Sequence, residues 1–319
     1  RFQFPGSSGQ GVNVYLVDTG VNIDHEDLEG RASYGPTFIG DQDDPTDING
    51  HGTFVAGVCC GKTYGVAKKA NVISLKTLDK DGSGRLSNVL LALHWIVQQH
   101  MATPWVKKIV NLSLATAYHL PTNQAIQEAM HLGLHFSIAA GNQGTDACKF
   151  SPASTSGALV VGAIAQDDSI PSFSNSGSCV TIYAPGTGIK SIWNQDNQAT
   201  KTLSGTSMAA PHLAGVMALL LADDDYTPPA LVEKILSSAT YVEDRNIRIL
   251  RLNMPNLMDN NGQSNNISHD HQVATTMSDK QPVGAMRGGF LVLSSANKDI
   301  AITLFLFFVA FAHTLYHML

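Results

Sequence analysis

Short apolar runs alternate with helical patterns from residue 12 to about residue 240, and this alternation constrains the fold more than any other feature of the chain. Such an order is typical of repeated strand–helix–strand units, which build a parallel sheet with helices on both faces. The candidate strands are rich in Val, Ile and Leu, as strands buried on both faces are. They cover residues 12–18, 71–78, 108–114, 135–140, 158–165 and 180–184. The sequence therefore predicts a doubly wound α/β fold with a mostly parallel sheet.

Helices are predicted in four places by the spacing of apolar residues. Over residues 85–101 the apolar positions recur at i, i+3, i+4 and i+7, and Pro104 follows as a stop. A third helix is predicted to begin at Ser207 and contains Pro211, which we expect to be tolerated because it lies in the first turn. The other two predicted helices cover residues 121–132 and 229–239. The string after His51, HGTFVAGV, also indicates a buried helix.

The charge distribution and the cysteine spacing argue against nucleic-acid binding and against a structural metal site. The chain carries 26 acidic and 20 basic residues, a net charge of −6, with no basic stripe. Nucleic-acid binders need such a stripe to neutralise phosphates, so nucleic acid is not an expected partner. The four cysteines lack the paired CxxC spacing of a structural zinc site, so no metal site is predicted.

Composition divides the chain into three parts. Residues 1–251 hold every periodic segment and form the predicted folded domain. Residues 252–289 are rich in Asn and Ser and lack periodicity, which indicates a polar linker. Residues 290–319 are predicted to be an apolar tail, because residues 300–319 form an apolar stretch about long enough to span a bilayer. We expect residues from Leu252 onward to tether the domain without contributing to its chemistry.

Both ends of the chain leave alternatives open. The beginning, RFQFPGSSGQG, has neither an initiator Met nor the regions of a signal peptide, so we expect it to start inside a longer precursor. The apolar tail fits a membrane span, a glycolipid-anchor signal after Ser294-Ser295-Ala296, or a read-through product. The spacer of residues 297–300 is short for an anchor signal.

Three residues offer the parts of a nucleophilic hydrolase. Asp18 ends an apolar strand, at the sheet edge where open α/β sheets bind ligands. His51 opens a buried helix, and Ser207 opens another, within SGTSMAAPHLAG. Taken alone, a strand-ending Asp is usually a turn former and a helix-opening Ser is usually a cap. Together they supply the carboxylate, the base and the nucleophile that amide hydrolysis by a serine requires.

The strings around these residues carry a family resemblance. DTGVNIDHEDL, HGTFVAG and GTSMAAPHLAG resemble the three active-site signatures of the subtilisin-like serine proteases, in the chain order Asp, His, Ser. The resemblance covers about residues 10 to 242. DACKFSPAS and GSCVTIYAPG are similar to fungal members related to proteinase K. The family resemblance implies a serine endopeptidase. Its catalytic triad would be Asp18, His51 and Ser207, and Asn142, at the end of SIAAGN, would contribute to its oxyanion hole.

The resemblance also implies where a peptide substrate binds. Members of the family pair the substrate backbone as an added strand between two segments. The matching residues are Gly82, Ser83 and Gly84 on one side and Leu112, Ser113 and Leu114 on the other. Ala139, Ala140 and Gly141 would line the P1 pocket. None of these is charged, so we expect a broad or apolar P1 preference.

Three departures from the family pattern bear on this transfer. Ala115 stands where the family generally has Gly, which adds a methyl group beside the substrate strand. Phe54 replaces a second His of the His-box, which should alter packing more than chemistry. Thr181 stands where the proteinase K-like members carry a calcium-binding Asp, which argues against that structural calcium site. No cofactor is required for the chemistry.

The cysteines and the predicted location follow from the same resemblance. Cys148 and Cys179 match a disulfide pair of the proteinase K-like branch, whereas Cys59 and Cys60 lie in an apolar setting and are expected in the core. A disulfide favours the secretory pathway, with an extracellular, cell-surface or vacuolar destination. The family's inhibitory pro-segment is not found in the chain. The alternative is a catalytically impaired homologue that acts as a membrane-tethered binding protein.

Overall fold

Thirteen β-strands and five α-helices alternate along residues 8–39 and 44–251, the part of the chain that the computed structural model describes. The predicted linker (252–289) and apolar tail (290–319) lie outside the described residues. The helices are α1 (His51–Cys60), α2 (Leu86–Ala102), α3 (Leu120–His131), α4 (Thr206–Asp223) and α5 (Pro228–Ser238). The strands are β1 (Val12–Asp18), β2 (Ala32–Thr37), β3 (Asn71–Lys76), β4 (Lys107–Leu112), β5 (Thr116–Ala117), β6 (His135–Ala139), β7 (Phe150–Ser151), β8 (Leu159–Ile164), β9 (Ile182–Pro185), β10 (Ile189–Ile192), β11 (Thr200–Leu203), β12 (Thr240–Val242) and β13 (Ile247–Ile249).

Nine of these strands form one sheet, in the order β12-β13-β9-β8-β6-β4-β1-β3-β2. Every neighbouring pair is parallel except β12 with β13, at one edge. The chain runs outward from β1 in one direction through β3 and in the other through β4. This reversal makes the carboxyl edge at β1 the topological switch point, where ligands bind in open α/β sheets.

Helices cover both faces of the sheet, which confirms the predicted doubly wound fold. On one face, α1, α4 and α5 bury a core that includes Val55, Leu213 and Leu231. On the other face, α2 and α3 bury a second core that includes Leu93 and Ile126. Cys59 and Cys60 are free thiols buried on α1, as expected of core residues.

The predicted helices begin and end within one residue of those in the structure, except that α1 runs two residues beyond the predicted string HGTFVAGV. Pro211 is the sixth residue of α4, past the first turn in which it was expected. β1 ends where it was predicted, whereas two of the predicted strands run too long at their carboxyl ends. β3 ends at Lys76 and β4 at Leu112, two residues earlier than predicted in each case. Beyond β3, the N–H of Leu78 donates to Asp18 O, which already accepts from the N–H of Thr77, so the regular ladder ends there. The apolar pattern persists where the backbone already turns toward the switch point.

A cluster of buried basic groups lies at the amino edge of the sheet. Lys108 is 3% exposed and donates its Nζ protons to the carbonyl oxygens of Thr103 and Val106. Burial lowers the pKa of Lys108 to about 8. His135, the first residue of β6, is 6% exposed. Burial, with a smaller contribution from the charge of His100, lowers the pKa of His135 to about 4.

The low pKa of His135 predicts a loss of stability in acid. Above pH 6.5 His135 is neutral in the folded and the unfolded chain, so it has no effect on the pH dependence. Between pH 6.5 and about 4, the unfolded chain binds a proton that the folded chain refuses. The free energy of unfolding should therefore fall by up to about 3 kcal/mol over this range.

We expect His135→Gln to remove this contribution, so that its unfolding free energy depends less steeply on pH than that of the parent. The measurement is urea unfolding between pH 4 and 7. His131→Gln is the matched control, because the His131 side chain is 68% exposed. Equal pH slopes for the parent and His135→Gln would contradict the prediction.

Candidate active site

A carboxylate and an imidazole meet at the switch point of the sheet. Asp18 is the last residue of β1 and is 1% exposed, and His51 is the first residue of α1. His51 Nδ1 lies 2.7 Å from Asp18 Oδ1, which also accepts a hydrogen bond of 2.8 Å from the N–H of Thr19. Because a carboxylate only accepts hydrogen bonds, Nδ1 carries the proton. The other ring nitrogen, Nε2, is left to act as a base.

The glycines on either side of His51 are required by space. Gly50, the N-cap of α1, has φ of 103°, and a Cβ there would lie 2.4 Å from the ring of Trp193. A Cβ on Gly52 would lie 2.0 Å from the carbonyl oxygen of Gly20 and 3.2 Å from Asp18. The close approach of α1 to the end of β1 therefore depends on the string Gly-His-Gly.

The pKa of His51 reflects opposing effects. Burial of the ring lowers its pKa. The charge and hydrogen bond of Asp18, with the charge of Asp47, raise it more. The net result is a pKa above the ordinary value of 6.5. The imidazolium that forms when His51 takes up a proton is thus stabilised by two carboxylates.

Ser207 lies in the first turn of α4 and exchanges hydrogen bonds with the segment after β4. Its Oγ donates to the carbonyl oxygen of Ser113 at 3.2 Å, and Ser113 Oγ donates to the carbonyl oxygen of Ser207 at 3.0 Å. Asn111 Nδ2 in turn donates to Ser113 Oγ at 2.9 Å. Among the described residues, the hydroxyl of Ser207 is bonded to Ser113 and not to His51. The structure brings Ser207 to the same sheet edge as Asp18 and His51, because α1 and α4 pack on each other and β4 is the neighbour of β1.

Asn142, which follows β6, is oriented by the start of α4. Its Oδ1 accepts hydrogen bonds from the N–H and the Oγ1 of Thr206, at 2.8 and 2.9 Å. Thr206 Oγ1 also accepts from the N–H of Gly141 at 3.1 Å. With Oδ1 occupied, the amide presents its Nδ2 donor. In the first turn of α4 the N–H of Thr206 is taken by Asn142 and that of Met208 by Gly205 O, so the turn can add the N–H of Ser207 and a partial positive charge.

The predicted substrate segments lie on both sides of Asp18. Gly82, Ser83 and Gly84 follow β3, and Leu112, Ser113 and Leu114 end and follow β4; β3 and β4 are the two neighbours of β1. Ala139 and Ala140 are at most 1% exposed, and their methyl groups belong to the two different cores. These alanines therefore offer a substrate their backbone and no side chain.

The chain matches the subtilase family model over residues 9–272. This match includes the aspartate, histidine and serine strings together with the whole described fold.

The chain belongs to the subtilase family.

Several known subtilases are similar to this chain. It is 40% identical to subtilisin-like protease 8 of Trichophyton verrucosum over 260 residues, which cover 75% of this chain and 53% of that protein. It is 39% identical to alkaline protease 2 of Aspergillus fumigatus, covering 75% of this chain and 52% of that protein. A crystal structure of a cold adapted subtilisin-like serine proteinase is 40% identical, with a TM-score of 0.72, covering 78% of this chain and 90% of that one. The chain spans about half the length of the curated relatives it matches.

This subtilase has one disulfide among its described residues. Cys148 and Cys179 are joined, with a Cα–Cα distance of 5.3 Å, as the resemblance implied. The bridge links the segment after Asn142 to the approach to β9. In the chain-entropy model, closing a loop of 31 residues stabilises the fold by about 3 to 4 kcal/mol.

Thr181 of this subtilase is committed to the sheet. Its Oγ1 accepts from the N–H of Val160 at 2.8 Å and donates to the carbonyl oxygen of Val160 at 3.0 Å. The residue supplies no carboxylate and its hydroxyl is already paired, so Thr181 does not fit a calcium ligand.

This subtilase also has a groove on its surface and one long apolar helix. A groove of about 730 Å³ runs between α3 and α5, and no residue of the predicted site lines it. In the described part of the chain, α4 alone is long and apolar enough to cross a membrane, but 72% of it is buried in the protein. We interpret α4 as the core helix that carries Ser207.

The sequence reasoning missed three residues that hold the site together: Thr19, Asp47 and Thr206. Thr19 and Thr206 accept hydrogen bonds from backbone groups far away in the sequence, and Asp47 accepts one from the distant hydroxyl of Thr19. The signals were weak but present, since Thr19 directly follows Asp18, Thr206 directly precedes Ser207, and Asp47 precedes a helix whose own N-cap is a glycine.

Proposed function

We propose that this subtilase is a serine endopeptidase in which Asp18, His51 and Ser207 form the catalytic triad and Asn142 contributes to the oxyanion hole. The 2.7 Å contact of His51 Nδ1 with Asp18 Oδ1 is the observation that carries the proposal. It fixes the tautomer in which Nε2 is free to accept a proton. The relatives named as subtilisin-like proteases support the same chemistry.

In this mechanism the peptide substrate adds as a strand between the segments 82–84 and 112–114. A backbone N–H of the substrate donates to the carbonyl oxygen of Ser113 in place of the Ser207 hydroxyl. The hydroxyl is then free to turn toward His51. Ser207 Oγ then attacks the scissile carbonyl carbon while its proton passes to His51 Nε2. Asn142 Nδ2 and the first turn of α4 stabilise the oxyanion.

Collapse of this intermediate breaks the C–N bond. His51 gives its proton to the departing amine nitrogen, and an ester of Ser207 remains. Water then attacks this ester and gives a proton to His51. As the ester C–O bond breaks, His51 passes this proton to Ser207 Oγ and the product carboxylate is released. Ala139, Ala140 and Gly141, which we propose to line the P1 pocket, carry no charge, and this supports a broad or apolar P1 preference.

Covalent labelling tests the assignment of the nucleophile. A peptidyl phosphonate or a sulfonyl fluoride should add to Ser207 and abolish peptidase activity in proportion to the fraction labelled, because an activated serine reacts with such electrophiles. Peptide mapping by mass spectrometry locates the adduct. His51→Ala should label far more slowly, since the hydroxyl then lacks its base. An adduct on a different residue, with Ser207 unmodified, would contradict the proposal.

The pKa of His51 predicts the pH dependence of catalysis. The base must be neutral to accept the serine proton, and its pKa lies above 6.5. The rising limb of kcat/KM against pH should therefore be centred above pH 6.5. The measurement is kcat/KM on an uncharged peptide amide between pH 5 and 9. A rate independent of pH across that range would contradict the assignment of His51.

The remaining parts of the proposal concern the whole protein. The disulfide between Cys148 and Cys179 supports folding in an oxidising compartment, hence the secretory pathway. Peptides and proteins are the proposed substrates. We also propose that residues 252–319 tether the domain, with the membrane as partner of the apolar tail, and that they are dispensable for hydrolysis.

A further inference from the structure

The helix that carries His51 lacks a cap of its own. Its N-cap, Gly50, has no side chain, and the position cannot accept one because Trp193 fills the space. The first N–H groups of a helix need acceptors from elsewhere. The acceptors for α1 must therefore come from a residue outside the helix.

Asp47 supplies one of these acceptors and also holds the segment before the helix, in which Asn49 Oδ1 accepts from the N–H of His51 at 3.1 Å. Its Oδ1 accepts from the N–H groups of Gly50 and Asn49, at 2.7 and 3.1 Å. Its Oδ2 accepts from the N–H and Oγ1 of Thr53, at 2.9 and 2.6 Å. The carboxylate is 7% exposed, so these hydrogen bonds are shielded from competing water.

Thr19 connects this cap to the catalytic carboxylate. Its Oγ1 donates to Asp47 Oδ1 at 2.9 Å and accepts from the N–H of Gly52 at 3.0 Å. Its own N–H donates to Asp18 Oδ1 at 2.8 Å. A single residue thus contacts the carboxylate of Asp18 and the turn that begins with His51.

A buried lysine fixes the segment that carries Asp47. Lys76, the last residue of β3, is 4% exposed, and its Nζ donates to the carbonyl oxygens of Asp44 and Thr46, at 3.1 and 2.6 Å. Lys76 lies beside Asp18 in the register of β1 and β3. Asp47 is therefore held from both sides, by α1 and by the sheet.

We propose that Asp47 is a positioning residue of the active site, which acts through Thr19 to set the distance between His51 and Asp18. The inference rests on the proposed function, because it assumes that this pair is catalytic. Asp47 does not touch the reacting atoms. Its effect on catalysis arises because a displaced imidazole loses alignment with the nucleophile.

Asp47 also acts on His51 through its charge. The charged side chains that act on the ring are Asp18, from β1, and Asp47, from the segment before α1, and both raise its pKa. Removing the charge of Asp47 should therefore move the rising limb of the pH profile to lower pH. A residue that only stabilised the fold would leave the position of this limb unchanged.

The first test compares two substitutions of Thr19. Thr19→Val has nearly the same shape but lacks the hydroxyl, whereas Thr19→Ser keeps it. We expect kcat to fall by about tenfold or more in Thr19→Val, with KM within about threefold, and to stay within about threefold of the parent in Thr19→Ser. The low-field proton resonance of His51 Nδ1–H should shift or broaden in Thr19→Val alone.

The second test uses Asp47→Asn, which keeps the size of the side chain but cannot accept at both ends. We expect a lower kcat together with a rising limb at lower pH. Lys76→Met should also lower kcat, whereas its matched control Lys108→Met, which removes a similarly buried lysine at the opposite edge, should affect only stability. Thermal unfolding of each variant separates misfolding from misalignment.

The outcomes distinguish this inference from the proposed function. If Ser207→Ala remains active, the proposed function itself is wrong. If Ser207→Ala is inactive but Thr19→Val has the kcat of Thr19→Ser, the link through Thr19 is overturned. An Asp47→Asn protein that folds, with an unchanged pH limb and unchanged kcat, would overturn the role of Asp47.

Discussion

Replacing Ser207 with alanine is expected to lower kcat by about 10⁶-fold, the size found for the triad serine of a related subtilisin. The substitution removes the only atom that the proposed mechanism uses to attack the scissile carbonyl. Adding His51→Ala to Ser207→Ala should cost little more, because nucleophile and base act as a unit. The measurement is the initial rate of hydrolysis of a peptide amide, with purified protein at high concentration to detect the residual activity.

The control for this experiment is Ser237→Ala. Ser237 lies on α5, and its hydroxyl donates to a carbonyl oxygen of the same helix, so its loss should leave kcat within about twofold. The melting temperature of Ser207→Ala should be close to that of the parent, because the substitution removes only the hydrogen bond from Ser207 Oγ to Ser113 O. Activity of Ser207→Ala within tenfold of the parent would show that a different group attacks the substrate.

Replacing Asn142 with leucine is expected to lower kcat by about 10² to 10³-fold, the size found for the corresponding donor in a related subtilisin. Leucine has a similar shape but offers no N–H to the oxyanion. KM should change by less than about threefold, because the donor acts on a charge that develops only in the transition state. Hydrolysis of a series of peptide amides gives both constants.

A transition-state analogue provides the discriminating readout for Asn142. The affinity for a peptide aldehyde or boronic acid should weaken in the Asn142→Leu protein roughly in proportion to the loss of kcat, while the affinity for the product peptide stays unchanged. Thr206→Val should show a smaller loss of the same kind, because Thr206 Oγ1 helps to hold Asn142 Oδ1 at 2.9 Å. An equal loss of affinity for product and analogue would contradict an oxyanion role.

The sequence predicted the fold well because its signal is periodic. Strands buried on both faces require continuous apolar runs, and α2 requires apolar residues along one face. These elements could therefore be predicted from the pattern of apolar residues. The strands that are short or lack an apolar run were missed. β2 contains Gly35 and Pro36, the hairpin of β10 and β11 has exposed positions, and β12 and β13 have three residues each. Such strands are defined by their partners and carry little pattern of their own.

The chemistry of the site was predictable only in part. The three family strings identify Asp18, His51 and Ser207, and the structure brings them to one sheet edge. The sequence does not reveal that the hydroxyl of Ser207 bonds to Ser113, since that depends on a side-chain rotation. It also does not reveal the role of Asp47, whose five hydrogen-bond donors come from Thr19, Asn49, Gly50 and Thr53.

The position of α4 has a consequence for when the proposed active site can form as the chain is synthesised. Asp18 is near the start of the described fold, whereas Ser207 enters on a helix that packs against β1, β4, β6, β8 and β9 at once. No early fragment of the chain holds both the base and the nucleophile. Contacts between such distant segments also slow folding. If the proposed triad is correct, we expect no fragment that ends before α4 to hydrolyse peptides, because the site is complete only when α4 is in place.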